Sequence, residues 1–285
     1  MTKIKLYLTQ MWNIIRNQLW VQYACIEWVL PFELISITFG IASWVFFTKM
    51  FNGTIQYIQQ YGCNPISYII LGMAFIGFLS YASTGIYGAL MGLYSGTYWS
   101  GGYRLSLMEY LRLAKIPPAL YVAANYVLTY FRQFLMCLGY LIVGFLIFGL
   151  KFNQNSNYFG AFVALVLGIV ACLGIGMISA STIWLLGAWH GVEPINWTLG
   201  LFASIVSGVY FPPDVLPSWL KMISYYFPHT YAMEAAKLAL LAGYDNNQLV
   251  PYFLRLIVFS TILILMGIYL IKLSSKREQE KGSLM

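Results

Sequence analysis

The chain has 285 residues, of which 60% are hydrophobic and only 9% are charged. Soluble domains carry about 25% charged residues, so this composition excludes an ordinary soluble enzyme and indicates a membrane protein. The formal net charge of +7 does not indicate a nucleic-acid partner, because the basic residues are scattered beside apolar runs, where they orient membrane proteins.

The first predicted element is an amphipathic helix over residues 3–22. Apolar residues recur at helical spacing from Ile4 to Leu19, whereas Lys3, Lys5 and Arg16 lie on other faces. We expect this helix to lie in the membrane interface, in contact with lipids. A soluble helix packed on the cytoplasmic side is the alternative.

Six apolar runs then predict an all-α, polytopic fold with six membrane-spanning helices. The first five lie within 29–211, and the predicted spans are 29–48, 66–93, 119–149, 158–187, 195–211 and 252–272. Residues 212–251 are expected outside, and 273–285 form a short, loose cytoplasmic tail. An even number of spans places both termini on one side, where Lys and Arg are more numerous. The sequence therefore predicts a multi-pass plasma-membrane protein with both termini in the cytoplasm.

Two features of the second and third spans are candidates for a transport pathway or a subunit seam. Gly88, Gly92 and Gly96 form a smooth stripe on one helix face, which allows close helix approach in lipid. Packing within one subunit explains the stripe equally simply. Arg132 lies inside the third segment and either snorkels to the interface or faces a pathway for an anionic or polar substrate.

A short amphipathic helix is predicted between the second and third spans, within 105–118, where Pro117 and Pro118 end it. Leu107, Leu111 and Ala114 share one face, and charged residues lie on the other. Such a helix either rests on lipid headgroups or docks in the groove of a partner protein. The candidate contact residues are Leu107, Glu109, Tyr110, Leu111, Arg112 and Lys115.

The segment 207–243 contains the most informative pattern of the chain. Prolines interrupt the apolar run after Phe211 and again at Pro228, so we expect a re-entrant helical hairpin that dips back into the membrane. Thr230 is the expected cap of its second helix, Gly243 ends that helix, and Glu234 and Lys237 are spaced to pair. The candidate gate residues are Gly208, Phe211, Pro212, Pro213, Pro217, Trp219, Pro228, Tyr231 and Glu234.

No catalytic set accompanies these elements. The sequence lacks a His-Glu-x-x-His metal motif, and it lacks the Gly-Lys dipeptide that a phosphate-binding P-loop requires. We therefore expect no enzyme activity, no metal and no cofactor on this chain. An ion-coupled secondary transporter or channel remains an alternative, although the predicted spans hold few of the ionisable residues that such proteins use.

The pattern Gly208-x-x-Phe211-Pro212, Leu216-Pro217-x-Trp219-Leu220 and Pro228-x-Thr230-Tyr231 resembles the segment before the last span in permease subunits of type-2 ATP-binding-cassette (ABC) exporters. One departure is Lys237, where many relatives in that family carry arginine. The resemblance implies that helix 107–115 couples to a separate ATP-binding-cassette ATPase subunit, which binds ATP and Mg²⁺. It also implies a second permease copy, or a related permease, and export of a lipid, glycan, drug-like or other amphipathic substrate.

Overall fold

The computed structural model describes residues 3–24, 26–50, 61–62, 64–95, 97–100, 103–186, 195–196, 198, 203 and 205–282. Over these residues the protein is helical apart from one two-stranded β-hairpin. The helices are α1 Lys3–Ala24, α2 Ile26–Met50, α3 Pro65–Ser95, α4 Leu107–Leu113, α5 Pro118–Leu146, α6 Tyr158–Leu185, α7 Ser218–Ser224, α8 Pro228–Lys237 and α9 Asn246–Gly282.

Five of the described helices are long and apolar enough to cross a membrane, and they identify a multi-pass membrane protein. Their apolar stretches are Val29–Phe46, Pro65–Tyr94, Pro118–Leu146, Tyr158–Leu185 and Asn246–Glu280. Five of the six predicted spans correspond to these helices. The remaining one, 195–211, is described only at 195–196, 198, 203 and 205–211, which do not make up a continuous helix, so a sixth span stays a prediction.

Helices α6 and α9 run parallel and in contact along their length. A Cβ placed on Gly160 would meet the Leu249 side chain, and one placed on Gly174 would meet the backbone of Leu263. Small residues allow this close approach without a hydrophobic driving force between the helices. Because both helices begin at the same end, the chain between them has to return across the bundle.

The two ends of the bundle are marked by contacts between α6 and α9. At one end, the side-chain amide of Asn157 donates to the side-chain oxygen of Asn246 at 2.7 Å. At the other, the Arg277 guanidinium donates to the Leu185 carbonyl at 2.9 Å. We call the first the hairpin end, because the predicted re-entrant hairpin 207–243 lies there, and the second the terminal end, because α9 ends there; the β-hairpin described below belongs to the terminal end.

Helix α1 packs on α5 through one apolar edge. Ile15 is buried against Ala124 and Leu128, whereas Trp12 and Trp20 are exposed. The observed helix agrees with the predicted amphipathic helix to within two residues. Its wide exposed apolar face suits a lipid interface, a position that remains a prediction.

A β-hairpin that the sequence reading did not anticipate precedes α4. Strands β1 Thr97–Ser100 and β2 Tyr103–Ser106 pair antiparallel, with Thr97 opposite Ser106 and Ser100 opposite Tyr103. The sequence signal was present, since two consecutive glycines between short strands favour a tight hairpin.

Helix α9 is longer than the last predicted span. It begins at Asn246, inside the segment expected to be external, and continues to Gly282 through most of the expected loose tail. Lys, Arg and Glu are good helix formers, and the last turns are also held by side-chain contacts described below. The described part of the tail is therefore helical.

Candidate functional site

The hairpin end is built around an interruption of the helical backbone at Gly208, which we call the chain break although the polypeptide is continuous there. This glycine has a φ of 75°, and a Cβ there would lie 3.3 Å from the Pro213 ring. Pro213–Val215 then form one 3₁₀ turn, and α7 follows. Trp44 of α2 stacks on Tyr210 with ring centroids 3.8 Å apart and meets Phe211 edge-on at 6.0 Å. Glycine is required for this reversal, because an L side chain is strained at positive φ.

The side chain of Lys237 is fully buried at this end, whereas the sequence predicted that it would pair with Glu234. Its ammonium donates to the carbonyls of Gly208 at 2.7 Å and Val209 at 2.9 Å. The same ammonium lies 3.3 Å from the ring centroid of Tyr68, whose hydroxyl also donates to the Gly208 carbonyl at 2.8 Å. A buried ammonium is tolerated only when its donors are satisfied, and here it holds the carbonyls at the chain break.

The expected pairing of Glu234 with Lys237 is wrong. The three ion pairs of the described residues join Arg112 to Glu278, Arg132 to Glu33, and Lys221 to Asp214. Lys237 turns inward to the two carbonyls instead. Backbone carbonyls freed by the chain break outcompete a carboxylate one helical turn away.

Helix α8 begins differently from the prediction. Because Pro228 occupies the first helical position, the N-cap position falls on Phe227. The Phe227 side chain has no acceptor, so it forms no capping hydrogen bond. Thr230 is therefore not the cap; its hydroxyl donates to the Val206 carbonyl at 3.4 Å. The predicted end is confirmed, since Gly243 has a φ of 74° after a π-helical turn, Leu238–Ala242.

The start of α8 lies in the middle of the bundle. His229 is fully buried, and its Nε2 is 3.4 Å from the Ser83 hydroxyl of α3 and 3.6 Å from the Cys172 sulfur of α6. Both partners lie near the midpoints of their helices. Further along, Ala232 packs directly on Gly168 of α6.

The π-helical turn that follows α8 lies at the hairpin end. The Ala239 carbonyl accepts from the backbone amide of Asn157 at 2.9 Å, and the Leu240 carbonyl accepts from the Ser156 hydroxyl at 2.6 Å. Ten α-helical residues and a five-residue π-helical turn rise about 22 Å, less than the ~30 Å hydrocarbon core of a bilayer. Helix α8 and the π-helical turn after it are therefore too short to span a bilayer; they start in the middle of the bundle and end at the hairpin end.

Glu234 lies on the side of α8 that faces α9. Burial and, to a smaller extent, the nearby Asp214 carboxylate together raise the pKa of this carboxyl to about 7. Tyr252 of α9 is its hydrogen-bonding neighbour, and the Arg255 charge opposes the shift. A carboxyl in this environment exchanges its proton near neutral pH.

The remaining gate candidates divide by exposure. Tyr231 is buried; its hydroxyl donates to the Tyr225 carbonyl at 3.0 Å, and Arg255 lies over its ring at 5.2 Å. Trp219 is 60% exposed on α7, and Tyr226, which follows α7, is also exposed. The predicted residues therefore form a buried inner group, Gly208, Pro212, Pro213, Pro228 and Tyr231, an exposed outer group, Pro217 and Trp219, and the half-buried Phe211 and Glu234.

Helix α4 at the terminal end is fixed by its own capping box. The Glu109 carboxylate accepts from the Ser106 amide at 2.6 Å, and the Ser106 hydroxyl accepts from the Glu109 amide at 3.3 Å. Such a box satisfies two orphan donors of a helix start. Glu109 is thus a capping residue that defines where α4 begins.

The apolar side of α4 packs inward. Met108 and Leu111 are buried against Leu93 of α3. Leu113 is 72% exposed, although the sequence reading did not include it among the contact candidates. The described outer face consists of Glu109, Arg112, Leu113, Ala114 and Lys115, with Leu107 and Tyr110 half-buried.

Glu278 near the end of α9 joins three elements at the terminal end. Its carboxylate accepts from Arg112 of α4 at 2.6 Å and from the Tyr94 hydroxyl of α3 at 2.7 Å. Sequence reading missed this residue because its partners lie 166 and 184 positions away. The end of α9 thereby supports the position of α4.

The pathway candidates lie on an open face. Gly88 and Gly92 are exposed, and a Cβ on either would meet no atom within 4 Å among the described residues. Gly96 lies outside the described residues. Arg132 is 54% exposed and forms an ion pair with Glu33 of α2, so its charge is already neutralised. An anionic substrate would have to compete with Glu33 for this guanidinium.

The described residues contain no group of three or more His, Cys, Asp or Glu side chains that could hold a metal ion. No protein-family model and no curated protein matches this sequence. Assignment of a function therefore rests on the geometry of the two ends of the bundle.

Proposed function

We propose that this chain is the membrane-spanning permease subunit of an ATP-driven type-2 ABC exporter that moves a lipid, glycan, drug-like or other amphipathic substrate outward. One observation carries the proposal: α8 is a non-spanning helix whose second residue, His229, lies in the middle of the bundle, and the turn that follows it ends at the hairpin end. Irregular backbone within a membrane is tolerated only when it is buried in protein or lines water. This arrangement supports a re-entrant hairpin that contributes to an exit gate.

The opposite end supports docking of an ATPase subunit. Helix α4 is held in place by its cap and by Glu278, and it presents Arg112 and the exposed Leu113 outward. An ordered helix with an exposed leucine flanked by charges fits a groove on a partner. In this proposal α4 and both termini lie in the cytoplasm, the protein is in the plasma membrane, and ATP and Mg²⁺ bind only to the partner.

The exporter would also contain a second permease, either another copy of this chain or a related one. The open face at Gly88 and Gly92 supports a close contact between helices of two permeases. It equally suits a wall of the pathway, and the two roles are compatible in a symmetric dimer.

Co-purification tests the proposal. The tagged chain, expressed together with an ABC ATPase from the same genome, should retain that subunit through purification in nanodiscs and should stimulate its ATP hydrolysis. Leu113→Ser should weaken partner binding about tenfold or more, because burial of a leucine side chain contributes about 1.5–3 kcal/mol. Leu273→Ser, at another exposed leucine of the terminal end, is the matched control. Failure of any ABC ATPase to bind the wild-type chain would refute the proposal.

An ion-coupled transporter is the second candidate, and Glu234 is the observation that favours it. Its carboxyl is half-buried at the hairpin end and has a pKa of about 7, which suits a proton-binding group. Uptake or efflux in proteoliposomes driven by a pH gradient, without ATP or an ATPase subunit, would favour this candidate over the exporter.

A further inference from the structure

A cavity of about 370 Å³ lies between α3 and α5, away from the hairpin-end residues described above. This size falls within the range of about 300–1,000 Å³ that is usual for small-ligand sites. Gly85 and Gly88 contribute bare backbone to its wall. Its polar lining residues are Tyr81, Thr84, Tyr87, Asn125, Thr129 and Asn196.

These polar groups offer both donors and acceptors. Thr129 donates to the Asn125 side-chain oxygen at 3.4 Å and is also a hydrogen-bonding neighbour of Tyr81. Because Asn125 accepts at its oxygen, its amide N–H groups remain as donors. Thr84 donates to the Ser80 carbonyl at 2.9 Å, so its hydroxyl oxygen remains an acceptor. Hydroxyl and amide groups match such a set, since each both donates and accepts.

The position of the cavity makes this polarity informative. It lies between two helices that are long and apolar enough to span a membrane, within the apolar stretches of both and toward the terminal end. Polar side chains at that depth are expensive unless they face one another, water or a ligand. A cluster of six such side chains around a space is therefore unlike ordinary helix packing in lipid.

The described part of the lining favours an uncharged ligand. None of the described residues that line the cavity carries a formal charge. The nearest charge along that face of α5 is Arg132, seven positions after Asn125, and it is paired with Glu33. A charged group placed in this cavity would lose part of its hydration without gaining a counter-charge from the described lining.

An aromatic cluster borders the polar lining. Tyr81 lies 5.1 Å from Tyr126 and 5.6 Å from Tyr130, measured between ring centroids. Tyr126 and Tyr130 donate to the carbonyls of Ala82 and Phe78 at 3.4 Å, which fixes their rings against α3. The rings supply apolar faces next to hydrogen-bonding groups, as the body and head of an amphipathic molecule require.

We propose that this cavity binds the uncharged, hydroxyl- or amide-bearing head group of an amphipathic molecule. As a substrate site it rests on the proposed transport function, whereas binding itself does not require an ATPase subunit. The acyl or aromatic body of the ligand would extend from the open side of the cavity at Gly88.

Photo-cross-linking to the purified chain alone, in lipid nanodiscs, tests this site. The probe is an alkyl glucoside with an eight-carbon chain that carries a diazirine. Two comparison probes replace the glucose by a carboxylate or a trimethylammonium group. Peptide mapping should find the glucoside on α3 and α5 near Tyr81 and Asn125, at least fivefold above either charged probe.

Asn125→Leu combined with Thr129→Val should lower glucoside labelling at least fivefold. Thr261→Val is the matched control, because this exposed hydroxyl on α9 bonds only to its own helix backbone within the described residues. If the double variant does not fold, Thr84→Val provides the same test. Equal labelling by charged and neutral probes, or undiminished labelling of a folded variant, would overturn the assignment.

The two proposals fail separately. Specific glucoside labelling in a chain that binds no ABC ATPase would leave the site intact and refute the exporter. ATP-driven export by a chain whose cavity is not labelled would leave the exporter intact and refute the site.

Discussion

Replacement of Lys237 by methionine should loosen the hairpin end while leaving the length of the side chain nearly unchanged. The variant removes two charge-assisted hydrogen bonds, to the carbonyls of Gly208 and Val209. Tyr68 still donates to the first carbonyl, so the second loses the donor described here. Bonds to charged groups contribute about 1.5–3 kcal/mol each, and the variant also avoids burying an ammonium, so we expect a net loss of about 2–4 kcal/mol.

Two buried cysteines provide the assay. Cys137 and Cys172 are free and buried, so a fluorogenic maleimide reacts with them only as the fold opens. Cys25 and Cys63 are replaced by serine to confine the signal to these two thiols. For a chain of this size, 1 kcal/mol shifts Tm by roughly 2–4 °C, so the expected loss of about 2–4 kcal/mol for Lys237→Met should lower Tm by about 4–16 °C.

Lys221→Met is the matched control, because this partly exposed lysine of α7 forms its ion pair with Asp214 at the surface. Surface ion pairs contribute about 0–1 kcal/mol, so the change in Tm should not exceed about 4 °C. If Lys237→Met behaves like the control, the ammonium does not stabilise the chain break, and the reasoning is wrong.

Gly72→Ala should also destabilise the hairpin end, by about 1–3 kcal/mol, because a Cβ there overlaps the Val209 carbonyl and lies 2.9 Å from the buried ammonium; the same thiol assay measures this. Glu278→Gln should change global Tm little, since exposed ion pairs contribute about 0–1 kcal/mol, yet it should speed hydrogen exchange of the α4 amides; unchanged exchange would contradict its supporting role. The raised pKa of Glu234 means that its folded form binds a proton more tightly than its unfolded form. Stability from this group is full below about pH 4.5 and is lost as the pH rises through about 7, by up to roughly 3 kcal/mol, so Tm measured from pH 5 to 8 should fall more for wild type than for Glu234→Gln.

The long apolar helices were predictable because hydropathy alone determines which segments can cross a bilayer. The predicted span 158–187 begins at the observed residue, and 66–93 differs from Pro65–Ser95 by one or two residues at each end. Helix ends that depend on polar contacts were less predictable. Helix α9 extends to Gly282 because Arg277 and Glu278 find partners on other helices, which no local pattern reveals.

In the candidate site too, features set by local sequence were predictable and features set by distant contacts were not. The prolines predicted a break after Phe211, and the structure places it earlier, at Gly208, whose positive φ is a local property of glycine. The inward turn of Lys237 was not predictable, because it depends on carbonyls about 29 residues away that become available only when the preceding segment breaks. Similarly, Leu111 and Leu113 look alike in sequence, and only the packing of α4 on Leu93 decides which one is exposed.

Helix α9 is one continuous element of 37 residues, about 55 Å long, with Pro251 in its second turn, Tyr252 and Arg255 just beyond this proline, and Glu278 near the other end. From Tyr252 onward the helix contains no further proline and can move as one rigid element. A tilt of 5° about its centre displaces each end by about 2 Å, which exceeds the slack in a hydrogen bond. Force applied to α4 through Arg112 and Glu278 would therefore reach the neighbours of Glu234 and Tyr231 without any rearrangement of the side chains between them.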